Sequence, residues 1–405
     1  MAIAVRSGEQ TRQLQIVCVD ELVPVDDLLR RVEGLVEWGA VRASAAPFYV
    51  DFGRPGVDPV VLVKLFLVAA LRGLGSMRET LRVASDSVSI RRFLGYGLSE
   101  PLPHHATLSY AQCVRFANSS VFEQLFTQVL ARCREQGLLD GGRLLVDATH
   151  VEANAALASL RAELTALEGG GEEQAPGEPT DPRPRPALSV AEPRSGPTPR
   201  RRASNATAVS VSDPDAKLRH KPGQRPHLVY RAQVATDPKS RCVVAVVAER
   251  ATGAEAEALP GLVARARWAR HQVRELAADQ GYAGRATYLE LEALGVVAYI
   301  PPQPNMLGYA EGQAARRRCK SPPGVRAAIE RMTHAEGAIA ELKLQHGLAR
   351  ARCRGTPKLQ VQLTLAATAL NLKRLARHAN SGAEGQAGTG AGAAAGIWHY
   401  EVSLN

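Results

Sequence analysis

The sequence predicts a mixed α/β sheet flanked by helices, preceded by an all-helical N-terminal domain. Three observations carry this expectation. Apolar residues recur with a helical period up to about residue 136, short apolar runs alternate with helical stretches after Gly141, and two of those runs end in aspartate, at Asp147 and Asp279. The order strand, hairpin strands, helix, strand, helix, strand, long helices describes a mixed sheet with helical layers.

In the first region Leu28, Leu29, Val32, Leu35 and Val36 fall on one helical face, preceded by the acidic pair Asp26 and Asp27. Asp58-Pro59 opens a second helix, with Asp58 as N-cap and Pro59 in the first turn, running to about Leu71. Ser76 and Glu79 have the spacing of a capping box for a third. Ser87 to Leu94, Thr107 to Phe116 and Val121 to Gln136 supply the rest, the last stopped by Gly137. Such short helices suit helix-turn-helix docking on DNA and equally an ordinary helical bundle.

Leu144-Leu145-Val146 then reads as a short strand ending in Asp147. Residues 168–204 are dense in Gly, Pro, Glu and Arg and cannot bury enough apolar surface to fold alone. Two strands, His227 to Thr236 and Arg241 to Ala248, flank the turn Asp237-Pro238-Lys239-Ser240. Glu255 to Val273 is helical, Glu275 to Ala278 a strand ending in Asp279, Ala286 to Leu294 a helix, and Val296 to Ile300 a strand stopped by Pro301-Pro302. Val325 to Arg377 is helical with breaks near Gly347 and Gly355, and the remainder is Gly/Ala-rich. The expected division is therefore 1–136, 140–378 with its insertion, and a low-complexity tail at 379–405.

Across 405 residues, 45% hydrophobic content suffices for two cores. The run Val60 to Leu71 is interrupted by Lys64 and too short to span a bilayer, and the N-terminus lacks a basic patch followed by an apolar stretch. A cytoplasmic, nucleoid-associated protein without membrane contact is expected. The net charge of +10, from 50 Lys and Arg against 40 Asp and Glu, favours polyanionic partners, although many unrelated proteins are basic. The six cysteines lie far apart in sequence with no zinc-ligand spacing, so free thiols are expected.

Asp147 and Asp279 carry the chemical signal. An Asp after a strand is commonly only a turn former or helix cap. Two on adjacent strand ends repel unless a cation lies between them, and hard Mg²⁺ or Mn²⁺ suits oxygen donors. Two such ions, about 3.5–4 Å apart, can drive phosphodiester cleavage. A third carboxylate would come from a helix packed near those ends, and Glu330, Glu336 and Glu341 share one helical stretch.

Val146-Asp147-Ala148-Thr149-His150-Val151-Glu152-Ala153-Asn154-Ala155 resembles the first catalytic block of bacterial insertion-sequence transposases of the IS-five type. Ala278-Asp279-Gln280-Gly281-Tyr282 resembles the second block. Glu336, Lys343, Gly347 and Arg354-Gly355 keep the spacing of the third. Ser212-Asp213-Pro214-Asp215-Ala216 and Tyr230-Arg231-Ala232 resemble the stretch before the hairpin. Leu22 to Asp26, Gly53 to Pro59, Arg91-Arg92-Phe93-Leu94-Gly95 and Pro101 to Thr107 resemble the accompanying N-terminal domain. Ile339 stands where an aromatic is usual, Arg231 where Lys is common, and His104 where Asp is common.

The resemblance implies an RNase H-like catalytic domain with Asp147, Asp279 and Glu336 as the triad holding two Mg²⁺ or Mn²⁺ ions. It implies cleavage and strand transfer at insertion-sequence ends, with double-stranded DNA as ends and target and a homodimer in the synaptic complex. Lys343, two turns from Glu336 on nearly the same face, is the candidate phosphate grip, with Arg354, Arg91 and Arg92 as further candidate DNA contacts. His150 and Glu152 are read as structural rather than metal-linked, and Glu255 as a possible supporting acid. Trp268 is expected to pack against the sheet, with base stacking as the other option. Arg200-Arg201-Arg202 and Arg316-Arg317-Arg318 are read as basic loops. A nuclease without strand transfer and a DNA-binding relic without catalysis remain the rival functions.

Overall fold

The computed structural model describes Ile16 and residues 18–387, apart from 51–55, 118, 163–204, 206–207, 221–222 and 224. The insertion, the Arg200-Arg201-Arg202 run, Gly53-Arg54-Pro55 and the tail beyond 387 thus lie outside the described residues.

Seven α-helices come first among the described residues: Leu28–Leu35 (α1), Trp38–Ala45 (α2), Pro59–Leu71 (α3), Met77–Asp86 (α4), Val88–Leu94 (α5), His105–Tyr110 (α6) and Val121–Glu135 (α7). Their starts follow the predicted caps. Asp27 accepts from the backbone of Leu29, Asp58 from Val60, Ser76 from Glu79 and Ser87 from Ile90, each satisfying an N–H that helix geometry leaves unpaired. His104, where Asp is common, does the same job through Nδ1 at 3.3 Å from the Ala106 nitrogen. Helix α3 is the hub, buried from Leu62 to Leu71. Its one charge, Lys64, is 8% exposed, and its Nζ reaches Glu33 at 2.9 Å and the Phe93 carbonyl at 2.6 Å beneath the Trp38 and Phe93 rings.

The sheet follows as Arg143–Glu152 (β1), a ribbon of Leu160–Ala162 (β2) and Ala208–Ser210 (β3), then Lys217–Arg219 (β4), His227–Thr236 (β5) and Val243–Arg250 (β6). Next come Leu259–Trp268 (α8), Glu275–Ala277 (β7), Arg285–Ala293 (α9), Val297–Tyr299 (β8), Ala310–Lys320 (α10), Pro322–Glu330 (α11), Glu336–Gln345 (α12) and Thr356–Ala387 (α13). Strand β5 runs antiparallel to β1 and pairs with β4 and β6 on its other edge, while β7 and β8 lie parallel to β1 on the far side.

Four readings are corrected. Strand β1 does not stop at Asp147; it continues to Glu152 because β5 pairs with it from Leu145 to Glu152. Arg316, Arg317 and Arg318 stand in helix α10, anchored by buried Gly312 and Ala315, and not in a loop. Trp268 is 63% exposed instead of packing under the sheet, since α8 buries Leu259, Leu262, Val263 and Ala266 and leaves its last residue outside. Helix α13 runs past residue 378 to Ala387. It also threads both halves of the molecule. Val361, Leu365, Ala369, Leu372 and Leu375 join the core of the N-terminal helices, and Leu359, Leu363, Ala366 and Leu370 join the sheet core. A helix apolar on both sides is one that serves two cores.

All six cysteines are free thiols, yet distant ones meet, with Cys113 Sγ 2.9 Å from Cys353 Sγ. Among the described residues no helix is long and apolar enough to cross a membrane.

Candidate active site

The register of β1 and β7 places the two aspartates. Leu145 pairs with Ala277, so Asp147 and Asp279 each stand two residues beyond the same rung of a parallel ladder. Asp147 is held within β1 opposite Val234 of β5, whereas Asp279 lies past the end of β7 and caps the short turn Gln280–Tyr282 through the Gly281 nitrogen at 2.9 Å. Side chains alternate along a strand. Leu145 packs with Ala327 and Ala335, and Val151 with Leu359 and Leu363, so Asp147 faces the α11–α13 layer. His150 and Glu152 therefore project from the opposite face.

The α11–α12 junction is a π-turn, Arg331–Ala335, a form enriched at functional sites. It delivers Arg331, whose Nη1 stands 3.4 Å from Asp147 Oδ2, and then Glu336 at the start of α12. Burial pushes the Asp147 carboxyl above its ordinary value, the Ala148 N–H and Arg331 pull it back, and Asp279 and Glu336 raise it further. Glu255, on the turn Glu255–Ala258 after β6, is raised by burial first and then by Asp279 and Asp147, against the opposing pull of Arg231. A Cβ on Gly281 would stand 2.7 Å from Glu255 Oε2 and 3.0 Å from Asp279 Oδ1, so the glycine lets these two acids approach. Beneath them buried Tyr282 donates to Gln233, which in turn donates to Glu249 at 2.8 Å.

The other helical acids are committed elsewhere. Glu330 binds Arg143 at 2.6 Å, at the start of β1. Glu341 is held down to about 2 by His346, 3.8 Å away, and by the closer Arg374 at 2.7 Å, against the opposing effect of burial. Of the three, only Glu336 faces Asp147 without a partner of its own among the described residues.

Four carboxylates with raised or unpaired charge are a hard-oxygen donor set suited in kind to Mg²⁺ or Mn²⁺. Among the described residues, however, no three His, Cys, Asp or Glu side chains stand close enough to hold one ion as placed.

The candidate DNA contacts differ in availability. Lys343 is half-buried, makes no ion pair among the described residues, and has its ammonium pKa lowered by burial and by Arg219. Arg354 is exposed and donates through Nε to the Asn154 carbonyl at 2.9 Å. Arg91 binds the carbonyls of Ser85, Gly97 and Glu100, and Arg92 binds Asp20 and Glu33, so both brace the helical region internally. The Ser212 to Ala216 segment also acts structurally. Asp213 accepts from Tyr230, and Asp215 accepts from the Thr356 nitrogen at 3.0 Å, fixing the start of α13. Sequence reasoning missed Arg331, whose only signal was its place five residues before Glu336.

Fold and site together define an α/β protein with acids gathered beyond one end of its parallel strands. Residues 17–112 match a family model described as a transposase domain, and residues 306–376 match one described as a transposase DDE domain. The two in this order support recognition as an insertion-sequence DDE transposase, and a DDE domain implies in general a DNA-cleaving phosphoryl-transfer enzyme that uses divalent metals. The second match covers Glu336, Lys343 and Arg354 but neither aspartate. No curated protein and no solved structure matches the chain.

Proposed function

We propose that this chain is a transposase of the IS-five type, which binds insertion-sequence ends and catalyses their cleavage and strand transfer at Asp147, Asp279 and Glu336. The observation that carries the reading is the level placement of Asp147 and Asp279 beyond paired parallel strands, with Glu336 influencing Asp147 from α12. The strand order β6-β5-β1-β7-β8, with β5 antiparallel to β1, supports an RNase H-like catalytic domain.

Asp147, Asp279 and Glu336 would hold two Mg²⁺ or Mn²⁺ ions, which when bound supply Lewis acidity to the scissile phosphodiester. The rigid ladder fixes both aspartates, and exposed Glu336 has the rotamer freedom to close on them. Arg331 holds Asp147 in line and brings positive charge to the phosphate side. Lys343, half-buried and without an ion pair among the described residues, grips a phosphate of the DNA end. The attacking oxygen is first that of water and then the freed 3′-hydroxyl, which joins target DNA. Two ends held together imply at least a homodimer, acting in the cytoplasm on nucleoid DNA.

The test is cleavage and joining of duplexes carrying the element's ends in Mg²⁺ or Mn²⁺. Wild type should give joined product, and Asp147→Ala, Asp279→Ala and Glu336→Ala should bind DNA without cutting it. Cutting without joined product would make the chain a nuclease. Binding without cutting by the wild type would make it a DNA-binding relic.

A further inference from the structure

At the other end of the parallel strands lies a cleft of about 290 Å³ bounded by Arg134, Asp140, Arg270, His271 and Arg274. Glycines 141 and 142 form its floor, immediately before β1. From Gly142 to Asp147 the chain advances about 16 Å at roughly 3.3 Å per residue, so this cleft is separate from the acidic site.

Three features set it apart from an ordinary basic surface. First, three arginines line the cleft with one carboxylate, Asp140, which makes no ion pair among the described residues; a second, Asp237, lies behind the lining, where it accepts from the Asp140 nitrogen at 2.8 Å. Arg134 donates to the Ala269 carbonyl and Arg274 to Gln272, which fixes two of the guanidinium groups, while Arg270 has no partner among the described residues. Second, His271 is 2% exposed and lines the cleft, yet neither ring nitrogen has a partner of good geometry, although the Arg143 backbone lies near enough to favour its proton. A buried imidazole without partners costs free energy unless something enters to meet it.

Third, the backbone at Arg270 is expensive. Helices α7 and α8 both end on this cleft with the same paired closure. Leu138 N bonds Cys133 O with Gly137 N to Arg134 O, and His271 N bonds Ala266 O with Arg270 N to Arg267 O. The left-handed residue is Gly137 at φ +68 in the first and Arg270 at φ +60 in the second. Glycine takes that conformation freely, whereas an arginine there costs about 1 kcal/mol. The side chain is worth that cost if it binds something.

We propose that Arg134, Arg270, His271 and Arg274 form a second phosphate site, which takes a backbone phosphate of DNA away from the cleavage centre. The reading rests on the proposed transposase function for the source of the phosphate, not for the chemistry of the pocket. Planar guanidinium groups and a ring N–H are the donors a phosphate's oxygens accept from. Such a contact adds affinity and orients the duplex without reading its sequence.

The experiment compares wild type, Arg270→Gly and Arg274→Gln, all as the full chain. Duplex binding is followed by fluorescence anisotropy over a salt series, and inorganic phosphate is added separately in thermal unfolding. Arg270→Gly is the decisive variant because glycine suits φ +60 and the fold should gain stability. The expected result is a raised Tm, duplex affinity about tenfold weaker, and a slope of log K against log salt smaller by about 1. Inorganic phosphate should raise the Tm of wild type only. If both variants bind DNA with wild-type affinity and slope, and phosphate protects none of the three, the proposal is overturned while the transposase reading stands. If wild type binds no duplex but phosphate still protects it alone, DNA as the source is overturned together with the transposase reading, and the pocket serves a free phosphate.

Discussion

Strand β1 carries two differently charged clusters. At its start Arg143 sits between Glu275 and Glu330, each at 2.6 Å, so that each carboxylate is matched by an ion-pair partner. Further along, Asp147 meets Asp279, Glu255 and Glu336, opposed by Arg331 at 3.4 Å from Asp147 and by Arg231 near Glu255. Matched ions of this kind hold elements together, and their removal costs stability. Unmatched ones work against the fold and are kept where charge has a task, which is the logic that marks the second cluster. The same acids, Glu330 and Glu336, six positions apart on one helical stretch, fall on opposite sides of this division.

The strongest way to break the comparison is to neutralise the unmatched acids. Asp147→Asn and Asp279→Asn are expected to lower cleavage by about 10³-fold or more, equivalent to about 4 kcal/mol of barrier, while Tm holds or rises. A rate within tenfold of wild type would remove both from the chemistry. Glu336→Gln should act alike, and Glu330→Gln should not. The latter leaves Arg143 with a single partner, so a Tm drop with a near wild-type cleavage rate is expected. The reverse pattern would exchange their roles.

Glu341 sharpens the point through pH. Its folded pKa of about 2 lies below the ordinary carboxylate value of 4.5, so its contribution is fully present above about 4.5 and is lost as pH falls through 2. Solvent screens this partly exposed pair, and the close contact is the one to Arg374, so the contribution is about 1 kcal/mol at neutral pH. Urea unfolding of wild type against Glu341→Gln should show this gap at pH 7 and a shrinking one below pH 4.5. A constant gap would mean that the pairing with Arg374 and His346 is not what Glu341 supplies. The smallest effect is reserved for Gly281→Ala, whose methyl would push the Glu255 carboxylate aside. Cleavage slowed by several-fold to tenfold with little change in Tm is expected, and an unchanged rate would make Glu255 a bystander.

Much of the local architecture was legible because it is local. Asp58-Pro59, Ser76 and Ser87 start helices by satisfying their own neighbours' N–H groups, and Gly137 ends one. The two aspartates were legible as Asp after an apolar run, and Glu336 only as one of three. What separated it from Glu330 and Glu341 was the company each keeps. Arg143 and Arg374, far away in sequence, claim two of the acids.

The sequence by itself determined the helical and strand periods, the caps and turns, and the identities of the acids, because these depend on neighbours within a few residues. Only the tertiary structure decided that β1 runs on past Asp147, that α13 belongs to both cores, that Arg91 and Arg92 brace the fold, and that Arg331 stands beside Asp147. Each of these rests on a partner distant in the chain, and no local pattern encodes where a sheet edge or a helix face will find its match.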